Sequence, residues 1–165
     1  MNIKVINTLR RSIVILFIFL VSAQPIAQEK GYFLEPSKFV DGDTFWVKHP
    51  DGEEEKIRLI GIDTPETRNS GRTKVEYYGK EASEYVRQLL TGKKVRLEFD
   101  VQRYDRYQRT LAYVYLADGT FLNAQLIKEG YAKVATYPPN VKYVDLFIDL
   151  EKKARAEEKG LWADR

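Results

Sequence analysis

The pattern of apolar and polar positions divides the chain into a short unpatterned start and a long, regularly patterned remainder. Ile13 to Val21 is an unbroken apolar run. Lys4, Arg10 and Arg11 precede it with no acid among them, and the small residues of Val21-Ser22-Ala23 close it. The run is shorter than the roughly 20 apolar residues of a membrane span. A charged start, a short apolar core and a small-residue exit predict a secretory signal peptide over residues 1–23, with cleavage after Ala23 or Ala27. An uncleaved N-terminal anchor facing outward is the alternative.

Beyond this stretch the periodicity changes. Thr44-Phe-Trp-Val-Lys48 and Lys56-Ile-Arg-Leu-Ile60 are strand-like, and His49-Pro-Asp-Gly-Glu53 between them is a turn. A two-residue turn at Asp51-Gly52 would set Pro50 opposite Glu53 and Asp43 opposite Ile60. A further strand is expected around Tyr32 to Val40, and two more over Lys94–Phe99 and Thr110–Leu116. Ala82, Tyr85, Val86, Leu89 and Leu90 recur at helical spacing, so Tyr78–Leu90 is read as a helix with Gly92 just past its end. Leu122–Lys128 is a short second helix. A third runs from about Val141 to Lys159, with Gly160 as its cap. The pattern predicts an all-β core with α additions (α+β): a five-stranded barrel of the oligonucleotide/oligosaccharide-binding (OB) kind with about three helices, over residues 30–165. Spacing alone leaves a sandwich or an open α+β sheet open.

Composition narrows the chemistry. The chain has no Cys and one His. Disulfides, thiolate zinc sites and multi-histidine clusters are therefore excluded, and a Ser-His-Asp triad would have to be built on His49. The 165 residues carry 27 Lys plus Arg against 24 Asp plus Glu. Three of those bases lie in the predicted leader, so the mature chain is formally neutral. Its charge is nonetheless segregated. Asp41–Glu66 holds eight acids and three bases, whereas Arg68–Arg109 holds eleven bases and six acids. Folded side by side, these stretches suit a carboxylate metal site beside a phosphate-binding flank.

Asp43, Asp63 and Glu66 are hard oxygen donors that favour Ca²⁺ or Mg²⁺ over zinc. Arg58 and Arg109 offer planar guanidinium forks that match phosphate oxygens. Strand alternation sets Arg58 and Asp63 on opposite faces, so both can reach one site only if the chain bends after Gly61. Taken singly, each feature has an ordinary reading: a turn at Asp41-Gly42-Asp43, an ion pair at Arg58, a solvated loop at Asp105–Arg109.

The ordered set is more specific. Val40-Asp-Gly-Asp-Thr44, Arg58-Leu-Ile-Gly-Ile-Asp-Thr-Pro-Glu-Thr67, Tyr78-Gly-Lys-Glu-Ala82 and Asp105-Arg-Tyr-Gln-Arg-Thr-Leu-Ala-Tyr113 occur in this order, followed by Leu122–Leu126, Gly130–Val134 and Gly160-Leu-Trp162. Together they resemble the staphylococcal nuclease (thermonuclease) family. The resemblance implies an OB-fold, secreted or periplasmic, Ca²⁺-dependent nuclease that hydrolyses DNA and RNA at the P–O5′ bond and leaves 3′-phosphates. It implies Ca²⁺ held by Asp43, Asp63 and the Thr64 carbonyl. It implies Glu66 as general base, with Arg58 and Arg109 on the phosphate. Arg106, Tyr107 and Tyr137 match positions of a nucleotide pocket. Gln108 departs from the family's usual glycine and would be strained if that position requires positive φ. The basic loop Arg68–Tyr77 fits a flap holding single-stranded or frayed substrate. No stable protein partner is implied, and a monomer is expected. A non-catalytic OB-fold nucleic-acid-binding module is the competing class; such modules typically lose the carboxylates or arginines that are all present here.

Overall fold

The computed structural model describes residues 33–68 and 74–163. The predicted leader and the middle of the Arg68–Tyr77 loop lie outside the described residues. Seven strands and three α-helices follow one another as β1 (Glu35–Phe39), β2 (Thr44–Lys48), β3 (Glu54–Leu59), β4 (Ile62–Asp63), α1 (Gly79–Leu90), β5 (Val95–Glu98), β6 (Thr110–Leu116), α2 (Leu122–Lys128), β7 (Lys133–Val134) and α3 (Val144–Ala156), before a 3₁₀ turn at Gly160–Trp162. Five strands form one sheet in the order β1-β2-β3-β6-β5, and β4 pairs with β7 separately. All neighbours in the larger sheet are antiparallel except β3 and β6, which run parallel. Leu34, just before β1, exchanges backbone hydrogen bonds of 2.8 and 2.9 Å with Val95, so the two edge strands meet at one end.

Alternation places Phe45 and Val47 of β2 and Ile57 and Leu59 of β3 on one buried face. Ala112, Val114 and Leu116 of β6, Val86 and Leu90 of α1, Leu122 and Leu126 of α2, and Phe147 of α3 close over them. Burying one such side chain contributes about 1.5–3 kcal/mol, so this cluster drives folding.

The β2–β3 hairpin differs from the expected register by one residue. Thr44 pairs with Arg58, and Leu59 N–H donates to the Asp43 carbonyl at 2.9 Å. The loop is three residues long, because Gly52 takes φ +95° and His49 pairs with Glu53. A left-handed residue in a three-residue loop matches strand twist as well as the shorter turn does. Thr44 and Arg58 consequently share the face opposite the core.

The third helix begins three residues later than expected, after Tyr143. Its end is capped not by Gly160 but by Glu158, at φ +52°, and the Lys159 N–H reaches back to the Ala154 carbonyl at 3.0 Å. That is a Schellman cap with a non-glycine residue in the left-handed position. The strands β4 and β7 were absent from the sequence reading, since two residues carry no periodicity.

Candidate active site

The end of the β2–β3 hairpin, the β4 segment and the loop entering β6 enclose a cavity of about 290 Å³. Asp41, Asp43, Arg58, Asp63, Thr64, Glu66, Tyr107 and Arg109 line it. Seven of the nine residues singled out in the sequence thus share this cavity, and Asp41 joins them. Arg106 and Tyr137 are not among its lining residues; Tyr137 is 72% exposed in a turn that closes on Asn140.

Gly61 supplies the bend. Its φ is +78°, and a Cβ there would stand 2.6 Å from Cε2 of Phe147, so glycine is required both by conformation and by packing. The turn reverses the facing of the chain between Arg58 and Asp63. Arg58 therefore donates through Nη1 to Asp43 Oδ2 at 2.7 Å and through Nη2 to Asp63 Oδ1 at 2.8 Å. The ion pair that Arg58 would have made as an ordinary structural residue is present, and it joins the two acids of the site.

Asp43 is 5% exposed and fully engaged. Besides Arg58, its Oδ2 accepts from the Thr64 N–H (2.9 Å) and hydroxyl (3.2 Å), and its Oδ1 accepts from the Thr44 hydroxyl (3.0 Å). These bonds tie β4 to the start of β2. Asp41 accepts from the Asp43 N–H at 3.2 Å in an Asx turn. Burial and the neighbouring Asp43 charge push the Asp41 carboxyl up to about 7. Asp63 and Glu66 are also raised, first by burial and then by repulsion from Asp43 and the other nearby carboxylates. Four acids facing two guanidinium groups leave the cleft short of positive charge.

On the opposite wall, Arg109 is aimed by Asp105. The guanidinium Nε donates to Asp105 Oδ2 at 2.6 Å, while Asp105 Oδ1 accepts from the Tyr107 and Arg109 N–H groups at 2.8 and 2.9 Å. Although burial opposes it, these bonds hold the Asp105 carboxyl below its ordinary value. Gln108 does adopt φ +61°, and Arg109 nevertheless lines the cavity, within 3.5 Å of the Thr44 hydroxyl. Tyr107 is 59% exposed, with the Arg106 and Arg109 guanidinium carbons 4.7 and 5.5 Å from its ring centre.

Glu66 is held through its backbone. Its N–H donates to Glu76 Oε2 at 3.3 Å, and its carbonyl accepts from the Glu76 N–H at 2.9 Å. Sequence reasoning missed Asp41 as a member of the site, and Asp105 and Glu76 as its supports. The acid two residues before Asp43 was the available signal for Asp41; nothing local marks Glu76. Among the described residues, no three acidic or histidine side chains are grouped so as to hold a metal ion; Asp43 and Asp63 are both paired with Arg58.

The amino-acid sequence matches known proteins over most of its length. The family model described as Staphylococcal nuclease homologue covers residues 56–164. A thermonuclease of Staphylococcus hyicus is 46% identical over 127 residues, spanning 77% of this chain and 73% of that one. A thermonuclease of Staphylococcus intermedius is 46% identical over 125 residues, 76% and 73% of the two chains. Endonuclease YncB of Bacillus subtilis is 40% identical over 138 residues, covering 82% of this chain and 64% of its own length. With a family model over well over half its residues and relatives of this similarity, the chain belongs to the staphylococcal nuclease homologue family.

Proposed function

We propose that the protein is an exported Ca²⁺-dependent nuclease that hydrolyses DNA and RNA at the P–O5′ bond, leaving 3′-phosphates. One observation carries the reading: Arg58 of β3 and Arg109 of the loop entering β6, far apart in the sequence, line a single cleft with Asp41, Asp43, Asp63 and Glu66. The thermonuclease and endonuclease names of the relatives support it. The junction of the sheet edges at Leu34 and Val95 supports a five-stranded OB barrel, within one domain over residues 30–165.

The donor set fits a hard divalent cation. All its side-chain donors are oxygens, and the raised Asp41, Asp63 and Glu66 carboxyls mark an excess of negative charge that a cation would relieve. Bound Ca²⁺ would be held by Asp43, Asp63 and the Thr64 carbonyl, and would supply positive charge against the phosphate.

The chain's own groups do the rest. Arg58 and Arg109 grip the non-bridging phosphate oxygens and stabilise the charge that grows on them in the transition state. Glu66, a stronger base because its carboxyl is raised, orients the attacking water and takes its proton. The water oxygen bonds to phosphorus as the P–O5′ bond breaks, and the electron pair leaves on the 5′-oxygen, which Arg109 stabilises. Tyr107 and Arg106 flank the departing nucleotide, with Tyr137 beyond them. Residues 1–23 act as a cleaved leader, giving a monomeric enzyme in the periplasm or medium.

The test is cleavage of DNA and RNA by the mature protein with Ca²⁺ or with a chelator. Ca²⁺-dependent cleavage lost in Asp43→Ala is expected; wild-type activity no greater than that of Asp43→Ala would refute the reading, and tight strand binding without hydrolysis would favour a binding module instead. An N-terminus beginning near Gln24 or Gln28 by mass spectrometry is expected, and an intact Met1 would mean an anchor.

A further inference from the structure

A second cavity, of about 260 Å³, lies directly beside the first. The first is walled by Asp41 and Glu66, the second by their chain neighbours Val40 and Thr67, so the two share a ridge. Across that ridge the sign of the charge changes. The second groove is lined by Arg68, Lys80, Arg87 and a single acid, Glu84, with the half-buried Phe39 as its apolar wall.

Glu84 offsets one of the three positive charges and leaves the groove net positive. Arg87 engages both of its oxygens, through Nε at 2.9 Å and Nη2 at 2.6 Å. Among the described residues, Arg68 donates to the Val40 carbonyl at 3.4 Å. Among the described residues, neither Arg68 nor Lys80 has an ion-pair partner. Lys80 also sits in the first turn of α1, where the helix dipole disfavours a cation. A residue that runs against its local physics points to a role outside the fold.

We propose that this groove is a flanking-strand subsite: Arg68, Lys80 and Arg87 hold the phosphodiester backbone of the same single-stranded substrate just beyond the bond that is cut. The inference rests on the nuclease reading and extends it from one phosphate to a length of strand. Its logic is electrostatic. A cleft with more acids than bases receives a polyanion more readily where the adjoining phosphates meet fixed positive charge, and the groove supplies that charge beside the cleft. The ligand class is a single strand of DNA or RNA, read through its backbone and therefore without sequence preference.

The experiment compares two substrates and a double variant, Lys80→Ala/Arg87→Ala. A nitrophenyl phosphodiester of a single thymidine ends inside the cleft, whereas a twelve-nucleotide single strand crosses the ridge. The variant should cleave the small ester within about twofold of wild type and the twelve-mer about tenfold more slowly in kcat/KM. Binding of the twelve-mer, followed by fluorescence anisotropy in chelator, reads the groove without catalysis. Each single-strand phosphate contact contributes about 0.7 to the slope of log K against log salt. Losing two lowers the slope by about 1.4, so raising salt from 50 to 200 mM should weaken the variant about sevenfold less than wild type. Lys80→Arg alone, which keeps the charge, should retain the wild-type slope. An unchanged twelve-mer affinity and slope, or an equal loss on both substrates, would overturn the proposal. If the nuclease reading itself fails, wild type cleaves neither substrate, and the anisotropy slopes still decide the groove.

Discussion

Replacing Gly79 with alanine tests whether the backbone of Glu66 is held in place by contact with α1. A Cβ built on Gly79 would lie 2.5 Å from the Glu66 carbonyl oxygen and 2.9 Å from the Pro65 oxygen, both backbone atoms. Ordinary contact begins near 3.4 Å, so one segment must yield by roughly 0.9 Å. The helix is anchored by Ala82, Val86 and Leu90 in the core, whereas the Pro65–Glu66 segment is a loop bonded chiefly to Glu76. The loop yields, and the Glu66 carboxylate moves with it. Overpacking of this kind costs about 1–3 kcal/mol. The reduced freedom of the unfolded chain returns about 0.4–1 kcal/mol, which leaves a net loss of about 1–2 kcal/mol, or a Tm lower by about 4–8 °C. Misplacing a catalytic group by that distance costs up to about 100-fold in rate. The expected result is a kcat reduced about 10- to 100-fold, well beyond the modest stability loss, with nucleotide affinity retained through Arg58 and Arg109. Gly92→Ala is the control: its φ is +69° but nothing lies within 4 Å of the added Cβ, so it should lower Tm without lowering kcat. A Gly79→Ala enzyme with wild-type turnover would refute the argument that this contact positions Glu66.

Other substitutions separate the remaining roles. Asp43→Ala should abolish Ca²⁺ dependence and lose about 2–4 kcal/mol in chemical denaturation, because it strips the Thr64 N–H and Arg58 of their buried partner; unchanged stability would contradict that bonding. Arg109→Ala should lower kcat about 10²–10³-fold while Ca²⁺ affinity by calorimetry stays near wild type, since Asp105 keeps its backbone donors; an equal loss of metal affinity would sink the division of labour. Gln108→Gly should raise Tm by relieving the left-handed backbone, a gain of about 1 kcal/mol, with activity equal or higher; a large drop in activity would make Gln108 a functional contact. Asp41 has a folded pKa of about 7, above its ordinary value of 3.8, so the native state binds the extra proton and stability falls as pH rises between those two values. Asp41→Asn, which keeps an oxygen for the Asp43 N–H, should flatten the Tm profile from pH 4 to 8 in chelator, and parallel profiles for both proteins would refute the assigned cause.

Local pattern made the larger elements legible. The strands of the core alternate over four or more residues, and the α1 face repeats at helical spacing, so both could be read from residues 44–60, 78–99 and 110–128 alone. Where conformation depends on one backbone angle, the reading slipped. Gly52 in the left-handed region lengthened the hairpin loop to three residues and moved the β2–β3 register by one, and Glu158 took a cap position that glycine usually fills. The β4–β7 pair is two residues long and exists through its surroundings. At the site, the acids and arginines that line the cleft were visible, whereas the Arg58 bridge between Asp43 and Asp63 required the Gly61 reversal. Glu76 and Asp105 accept backbone N–H groups on their carboxylates, and Asp105 the Arg109 Nε as well; side-chain type alone gives no sign of such contacts.

The parallel pairing of β3 with β6 has a kinetic meaning. It matches Ile57 with Thr110 and Arg58 with Leu111, so the two arginines of the cleft flank the one contact in the sheet that joins parallel strands. Its partners are separated by some fifty residues, and the logarithmic part of closing such a loop costs about 3.5 kcal/mol of chain entropy. The β1–β2–β3 meander is local and can form early, carrying Asp43 and Arg58 with it; Arg109 arrives only when the long-range register closes. A chain folded only as far as the meander holds acids and one arginine without the second arginine of the cleft. Catalytic competence is then an all-or-none property gained at the end of folding, and refolding followed by activity should lag behind refolding followed by the fluorescence of Trp46 in the meander.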